Sequence, residues 1–262
     1  MVIRARRYIE ELASRGRHHF TAGEALAALA TGPLAARAQL RRLKEQGLIA
    51  EPVRGFLVIV PPEYRHLGCL PAEQFVPQLM AIAAEPYYLA LLSAAQRHGA
   101  AHQRPQAVQV MVRKNREPIE CGEVRVKFIT RGDMEKMPVA EVNTPRGVVR
   151  YSTPEVTALE LVGYPGDGGG LGNVATVLSE LAEEMNSEKL VAAARLSPVS
   201  WAQRLGYLLE LVSQEGLASV LKPFVAEHAR SYTPLRRAAG TAGGKRTPTW
   251  KLIVNVEVEP DL

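Results

Sequence analysis

Five cationic side chains and two glycines fall within one 25-residue stretch that begins at Ala36, ARAQLRRLKEQGLIAEPVRGFLVIV. A helix turns by 100° per residue, so a helix over the first half of this stretch places Leu40 and Leu43 on one side. Arg37 and Arg41 then lie on the opposite side. Arginine can bind a phosphate, or it can bind guanine O6 and N7 with two hydrogen bonds. The pattern therefore predicts a helix that packs with one face and contacts nucleic acid with the other.

The cationic residues of this stretch suit different contacts. Arg37 and Arg41 lie near the start of the predicted helix, where a helix in the major groove meets base edges, so we predict that they contact bases. Arg42, Lys44 and Arg54 suit phosphates. The alternative is that these side chains only solvate a surface helix.

Two uncharged residues complete the predicted contact surface. Ala38 lies on or beside the cationic face. Gln39 could contact adenine, although its helical angle places it toward the packing side. The predicted DNA-binding residues are Arg37, Ala38, Gln39, Arg41, Arg42, Lys44 and Arg54.

The residues before this stretch predict two further helices. The segment IRARRYIEELASRG ends at Gly16, which can take the positive φ of a helix C-terminus. In FTAGEALAALATG, Thr21 and Glu24 have the spacing of a capping box, and Phe20 precedes them where a staple residue would pack. Pro33 suits the first position of the third helix, since its missing N–H would have no helical partner.

Two strands and a turn follow the third helix. Gly47 ends the helix, LIAEP and FLVIV predict strands, and PVRG between them predicts a turn with Arg54 at its tip. The order of three helices and a hairpin predicts a winged helix-turn-helix DNA-binding domain over residues 1–61.

The net charge of +5 is unevenly distributed. Residues 1–65 contain 11 Lys and Arg against 6 Asp and Glu, whereas residues 66–262 contain 21 of each. A cationic segment beside a neutral remainder is typical of a polyanion-binding module attached to another domain.

The remaining chain predicts one α+β domain over residues 66–262, joined to the first domain by a hinge at 62–65. The segment AEQFVPQLMAIAAEPYYLALLSAAQRHG predicts two helices broken near Pro86. AVQVMV, EVRVKFIT, MPVAEV and GVVRY predict strands of a central, mainly antiparallel sheet. Helices are predicted at roughly 155–163, 173–185, 187–195, 199–213 and 216–229. The closing segment WKLIVNVEV alternates in polarity, so we expect a strand that pairs with the central sheet.

A glycine-rich cationic segment, YTPLRRAAGTAGGKRTPT, precedes this last strand. Such segments are often only flexible loops. The alternative is a second contact with a polyanion, formed by Arg236, Arg237, Lys245 and Arg246.

The segment GYPGDGGGLGNVA satisfies a relaxed G-x-G-x-x-A pattern through Gly170, Gly172 and Ala175. A nucleotide site of this kind needs a preceding strand, and a P-loop needs a following G-K-[ST]. Here the preceding segment predicts a helix and no such motif follows. We therefore interpret the segment as a mobile loop between helices.

Other patterns that could support catalysis or metal binding are incomplete. His98 and His102 are four residues apart, but Gly99 argues that the helix is ending and no third ligand is evident. The three aspartates lie far apart, at Asp133, Asp167 and Asp261, and no nucleophile motif is present. We predict no enzymatic activity, no metal and no cofactor.

Cys69 and Cys121 have no metal-ligand spacing and suit buried or incidental thiols in a reducing cytoplasm. No apolar run approaches the ~20 residues needed to cross a bilayer, and no apolar segment of a secretory signal follows the first charged residues. We expect a cytoplasmic protein without a membrane partner.

The whole pattern resembles the AbiEi family, the antitoxins of type IV toxin–antitoxin systems. The resemblance rests on LRRLKEQGLIAEPVRGFLVIVPPEYRHLG, on WKLIVNV and, most specifically, on YYLALLSAAQRHGAAHQRP. It implies an N-terminal domain that binds double-stranded operator DNA and represses its own operon. It also implies a C-terminal domain that counters a nucleotidyltransferase-like toxin without a stable complex, in phage defence.

Two other functions fit the residues. The protein could be a winged-helix transcriptional regulator whose larger domain binds a small-molecule effector, with no toxin involved. The larger domain could instead be an enzyme, such as a degenerate nucleotidyltransferase. A toxin-like neighbouring gene separates the first alternative from the antitoxin hypothesis. Loss of function on replacing single carboxylates, without loss of folding, favours the second.

Overall fold

A computed structural model describes residues 4–100, 105–144 and 146–260 of the chain. These residues form two compact units. The first unit comprises the chain up to Tyr88 together with residues 106–134 and 141–150, and the second comprises most of the rest. Within the described residues, no helix has the length and apolar character needed to cross a membrane.

The first unit begins with three helices and a small antiparallel sheet. Its elements are α1 (Ala5–Ser14), β1 (His19–Thr21), α2 (Ala22–Leu29), α3 (Pro33–Glu45), β2 (Ile49–Val53) and β3 (Phe56–Ile59). The strand order is β1-β3-β2, so the hairpin of β2 and β3 is extended by a short strand before α2. This arrangement confirms the predicted winged helix-turn-helix and adds β1, which the sequence did not predict.

The core of this winged helix is made by the apolar faces of its helices. Phe20 is fully buried and meets Tyr8 edge to face, with ring centroids 5.4 Å apart. Ala36, Leu40 and Leu43 of α3 belong to the same core. Burial of this face fixes which side of α3 is left outward.

Two short 3-10 segments, Pro62–Leu67 and Ala72–Gln74, lead into α4 (Val76–Ile82), β4 (Tyr87–Leu89) and α5 (Leu91–Arg97). The two predicted helices are present, but a strand separates them. All three residues of β4 are buried. A short, wholly buried strand shows no alternation of polarity, so periodicity could not distinguish it from helix.

The central sheet contains six strands in the order β6-β7-β5-β4-β9-β8. The strands after β4 are β5 (Val108–Val112), β6 (Ile119–Cys121), β7 (Val124–Thr130), β8 (Val139–Thr144) and β9 (Gly147–Ser152). Strands β5 and β7 run parallel, as do β4 and β9, whereas β6 and β7 run antiparallel. The α+β class is confirmed, but the sheet is mixed where the sequence predicted a mainly antiparallel one. Side-chain alternation reports which face is buried and carries no information on strand direction.

The second unit is mainly helical. Its helices are α6 (Pro154–Gly163), α7 (Leu171–Leu181), α8 (Ser187–Arg195), α9 (Val199–Leu211) and α10 (Glu215–His228). All five lie where they were predicted, to within a few residues at each end. Local signals fix two starts: the Asn186 side chain caps α8, and Thr153 caps α6 ahead of a proline at its first position.

The closing strand does not join the central sheet, which corrects the prediction. Strand β12 (Leu252–Val254) pairs instead with β10 (Thr233–Pro234) and β11 (Lys245–Thr247). The chain before β12 is held by α9, because Gln203 Nε2 donates to the carbonyl oxygens of Trp250 and Lys251, at 3.0 and 2.8 Å. Trp250 is buried, and its indole N–H donates to Glu210 Oε2 at 2.7 Å.

The residues on either side of the predicted hinge at 62–65 lie in the same compact unit. Phe56 of the hairpin packs near Phe75, with ring centroids 6.3 Å apart. The backbone N–H of Glu123 donates to Leu67 O at 2.8 Å. The division into domains at 62–65 stays a prediction, and a chain that began at residue 66 would have to fold without the Phe56 contact.

Candidate nucleic-acid interface

The outward face of α3 carries the predicted base contacts. The helix starts at Pro33, directly after Gly32, and its inward face is buried through Ala36, Leu40 and Leu43. The opposite face is exposed at Arg37 and Arg41. Because the packed face sets the rotation of the helix, the cationic face is fixed outward by the fold.

Ion pairing differs among these arginines. Arg37 and Arg42 are exposed and have no ion-pair partner within the described residues. Arg41 Nε lies 3.6 Å from Glu45 Oε1, and the two side chains are 75% and 65% exposed. An exposed pair of this kind contributes at most about 1 kcal/mol, so a phosphate or a base edge can displace Glu45.

Gln39 has a different role from the arginines. Its side-chain oxygen accepts a hydrogen bond from the backbone N–H of Ala5 at 3.0 Å. Helix α1 has no side-chain cap from its own N-cap residue, Arg4. Gln39 therefore faces α1, as its helical angle indicated, and we assign it to capping α1. Ala38 is half-buried on the flank of the cationic face.

The hairpin is braced against α3 by an acidic side chain. Glu51 forms an ion pair with Lys44 and accepts a hydrogen bond from the backbone N–H of Gly55 at 2.8 Å. Burial opposes ionisation of Glu51, but the hydrogen bonds from Lys44 and Gly55 outweigh it, so its pKa lies below its ordinary value. Lys44 is therefore already partnered, whereas Arg54 at the tip is exposed without an ion pair in the described chain.

The predicted capping box at the start of α2 is confirmed. Glu24 N donates to Thr21 Oγ1 at 3.2 Å, and Thr21 N donates to Glu24 Oε2 at 2.6 Å. Arg17 adds an ion pair to Glu24 at 2.6 Å. These contacts fix where α2 begins, and α2 packs beside α3.

Leu34 is a candidate contact that the sequence analysis missed. It is 84% exposed, which is unusual for a leucine. On α3 it precedes Arg37, Ala38 and Arg41 by three, four and seven residues, so all four share one face. The same angular calculation that placed the arginines could have found it.

The predicted second polyanion contact is divided between two places. Lys245 and Arg246 are exposed on β11, and the guanidinium of Arg246 lies over the ring of Tyr232 at 5.1 Å. Arg236 and Arg237 instead line a cavity of about 490 Å³ in the second unit.

The segment that carries Arg236 and Arg237 is fastened by Asn255. Asn255 Oδ1 accepts from Arg236 N at 3.0 Å, and its Nδ2 donates to the carbonyl oxygens of Arg236 and Ala239 at 2.8 Å each. The cationic segment is thus tied to the residue that follows β12.

His98, which was considered as a possible metal ligand, has another contact in the structure. His98 Nε2 lies 2.8 Å from Ser152 O, while His102 and Asp261 lie outside the described residues. Across residues 4–100, 105–144 and 146–260, no group of three or more His, Cys, Asp or Glu could hold a metal ion.

The two cysteines lie together in the first unit. Cys69 is buried, Cys121 is half-buried, and both are free thiols. A hydrogen bond between the two sulfurs lowers the pKa of Cys121 to about 7 and raises that of Cys69. The expectation of a buried thiol is met at Cys69.

The comparisons with known proteins agree with this architecture. The crystal structure of the Rv2827c protein from Mycobacterium tuberculosis matches with a TM-score of 0.68 and 19% sequence identity, over 95% of this chain and 90% of that one. At this identity the match shows the fold. No curated protein matches the chain significantly.

Residues 88–211 match the AbiEi antitoxin C-terminal domain, which supports an antitoxin role in a toxin–antitoxin system. The resemblance to the AbiEi family is thereby confirmed, and the chain carries an AbiEi antitoxin C-terminal domain.

Proposed function

We propose that this AbiEi protein binds operator DNA through its winged helix, represses its own operon, and counters a nucleotidyltransferase-like toxin. The observation that carries the DNA-binding part is the outward face of α3. It presents Arg37 and Arg42 without ion pairs in the described chain, together with the exposed Leu34.

The geometry suits a helix in the major groove. In a winged helix-turn-helix the N-terminal residues of the recognition helix meet base edges. Arg37 and Arg41 are placed for guanine, and Leu34, one turn earlier, is placed for the methyl group of a thymine. This face has room for bases because Leu34, Arg37 and Arg41 are all exposed.

Phosphate contacts come from the edges of the same surface. Arg42 lies beside the base-contacting face, and Arg54 lies at the tip of the hairpin. Lys44 would contribute only after its pair with Glu51 is broken, so we rank it below these two. Lys245 and Arg246 on β11 form a separate cationic surface that we propose as a second polyanion contact.

The antitoxin part of the proposal rests on the AbiEi domain at residues 88–211. We propose that this domain acts on the toxin in the cytoplasm, without a stable complex and without chemistry of its own. We place this activity in a type IV system for phage defence, as the family resemblance implies.

The test separates the two activities in the full-length chain. A variant with Arg37, Arg41 and Arg42 replaced by alanine keeps the buried face of α3, so we expect it to fold. It should lose silencing of a promoter reporter yet still rescue growth when the toxin is co-expressed. The matched control is Arg195→Ala, an exposed arginine at the end of α8. Unchanged silencing in the triple variant would refute the DNA-binding proposal, and loss of both activities would refute the division of labour.

A further inference from the structure

The cavity of about 490 Å³ in the second unit has a cationic side and an apolar side. Its basic residues are Arg204 on α9 and Arg236 and Arg237 after β10. Its apolar wall is formed by Val162, Pro165, Leu171, Leu235 and Val256. Neither the AbiEi match nor the DNA-binding proposal gives this cavity a role.

Arg204 is a buried cation whose hydrogen-bond partners, among the described residues, are neutral groups. The residue is 3% exposed. Nε and Nη2 donate to Pro234 O at 3.2 and 3.1 Å, and Nη2 lies 3.4 Å from Thr233 Oγ1. Within the described residues no carboxylate forms an ion pair with it. A buried charge without a counter-charge is costly, so this position favours an anion beside it.

A second guanidinium increases this cost. Burial, and then the charge of Arg237, lower the pKa of Arg204 to about 10. Arg237 is exposed and forms no ion pair in the described part of the chain. The one acidic residue in the lining, Glu257, is exposed and does not pair with Arg204. Two arginines that repel each other in one cavity would both be stabilised by a shared anion.

The same cavity is lined by the start of α7. The glycine-rich loop turns at Gly170, where φ is +97°, and Leu171 and Gly172 of the first turn line the cavity. The first N–H groups of a helix have no acceptor within the helix, and the helix dipole is positive at this end. These amides therefore favour the same charge as the arginines do.

We propose that this cavity binds a small phosphate ester. Its phosphate would lie among Arg204, Arg237 and the first turn of α7, and its remainder would lie against the apolar wall. The volume is within the usual range of ~300–1,000 Å³ for small-molecule sites. Arg204 is too deeply buried for the backbone of a DNA duplex, which distinguishes this site from the cationic surface on β11.

Isothermal titration of the full-length protein tests the proposal with adenosine 5′-monophosphate, inorganic phosphate, acetate and adenosine as probes. We expect the monophosphate to bind more tightly than inorganic phosphate, and acetate and adenosine not to bind measurably. Arg237→Gln should weaken binding of the monophosphate at least tenfold. Arg237 is used because Arg204→Gln would also remove hydrogen bonds to β10 and endanger folding.

Arg246→Gln is the matched control, since Arg246 is exposed nearby on β11 and does not line the cavity. It should bind the monophosphate as the unchanged protein does, and thermal unfolding should show that both variants are folded. An equal loss in the two variants would indicate only surface attraction and would overturn the proposal. So would tight binding of adenosine or acetate, inorganic phosphate binding as tightly as the monophosphate, or no binding of either phosphate probe.

Discussion

The side-chain oxygen of Gln39 on α3 accepts a hydrogen bond from the backbone N–H of Ala5, at the first residue of α1. The helix that we propose for the DNA groove therefore also holds the start of another helix. Within about one turn of α3, Gln39 caps α1, whereas Arg37 and Arg41 are exposed on the outward face. Stability and DNA contact can thus be separated by single substitutions.

Gln39→Ala should lower stability and leave base preference unchanged. Loss of a helix-capping acceptor typically costs about 0.5–2 kcal/mol. Thermal or urea unfolding measures the change, with Gln46→Ala, an exposed glutamine at the end of α3, as the control. Relaxed preference at one operator position would show instead that Gln39 contacts a base.

Arg37→Ala and Arg41→Ala should each relax preference at one operator position. A lost bidentate contact to guanine costs about 1–3 kcal/mol against the preferred base. Arg54→Ala should weaken all sequences alike and reduce the dependence of log Kd on log salt by about one. Competition binding with operator variants over a salt series distinguishes these outcomes. If all three variants weakened every sequence equally, Arg37 and Arg41 would be phosphate contacts.

Glu24 should make the winged helix less stable in acid. Burial raises its pKa, but hydrogen bonds from Arg17 and Thr21 outweigh burial, so the folded pKa lies below the ordinary value. A carboxyl with a lowered folded pKa stabilises the protein above its unfolded pKa, and this stabilisation is lost as pH falls through the folded pKa. Glu24→Gln should therefore show a smaller loss of stability between about pH 5 and pH 3.

The measurement is the urea midpoint of both proteins at each pH. Glu10→Gln is the control, because Glu10 is an exposed carboxylate that pairs with Arg6 within α1. An identical pH profile for Glu24→Gln and the unchanged protein would refute the role of Glu24.

Local signals explain why much of the winged helix could be predicted from the sequence. Thr21, Glu24 and Pro33 mark helix starts through contacts made within a few residues, and the structure has them in those roles. The five helices after residue 153 also lie where they were predicted, and two of them begin at local caps, Thr153 and Asn186. The partner of β12 could not be predicted, because its position depends on Trp250 packing against α9, a contact between residues distant in sequence.

The candidate site likewise has one part that could be predicted from the sequence and one part that could not. The outward direction of Arg37 and Arg41 follows from helical angle, which a sequence contains. The cavity around Arg204 could not be predicted in this way, because its lining residues come from α6, α7, α9 and the segment after β10. The glycine-rich loop lies between two helices as predicted, but its nearness to three arginines is a property of the tertiary fold.

Gly206 of α9 lies directly under the indole ring of Trp250. A Cβ at this position would clash with the ring carbons of Trp250, so Gly206→Ala requires Trp250 to move. Overpacking of this kind costs about 1–3 kcal/mol, in spite of the gain in helix propensity from glycine to alanine.

Gly216→Ala in α10 is the matched control, since its Cβ would meet nothing within 4 Å. We expect the control to unfold at the same urea concentration as the unchanged protein or a higher one, and Gly206→Ala at a lower one. Tryptophan fluorescence, followed through the same unfolding transition, should show a changed environment only in Gly206→Ala. Equal stability of the two variants would mean that Trp250 does not hold the chain before β12 against α9.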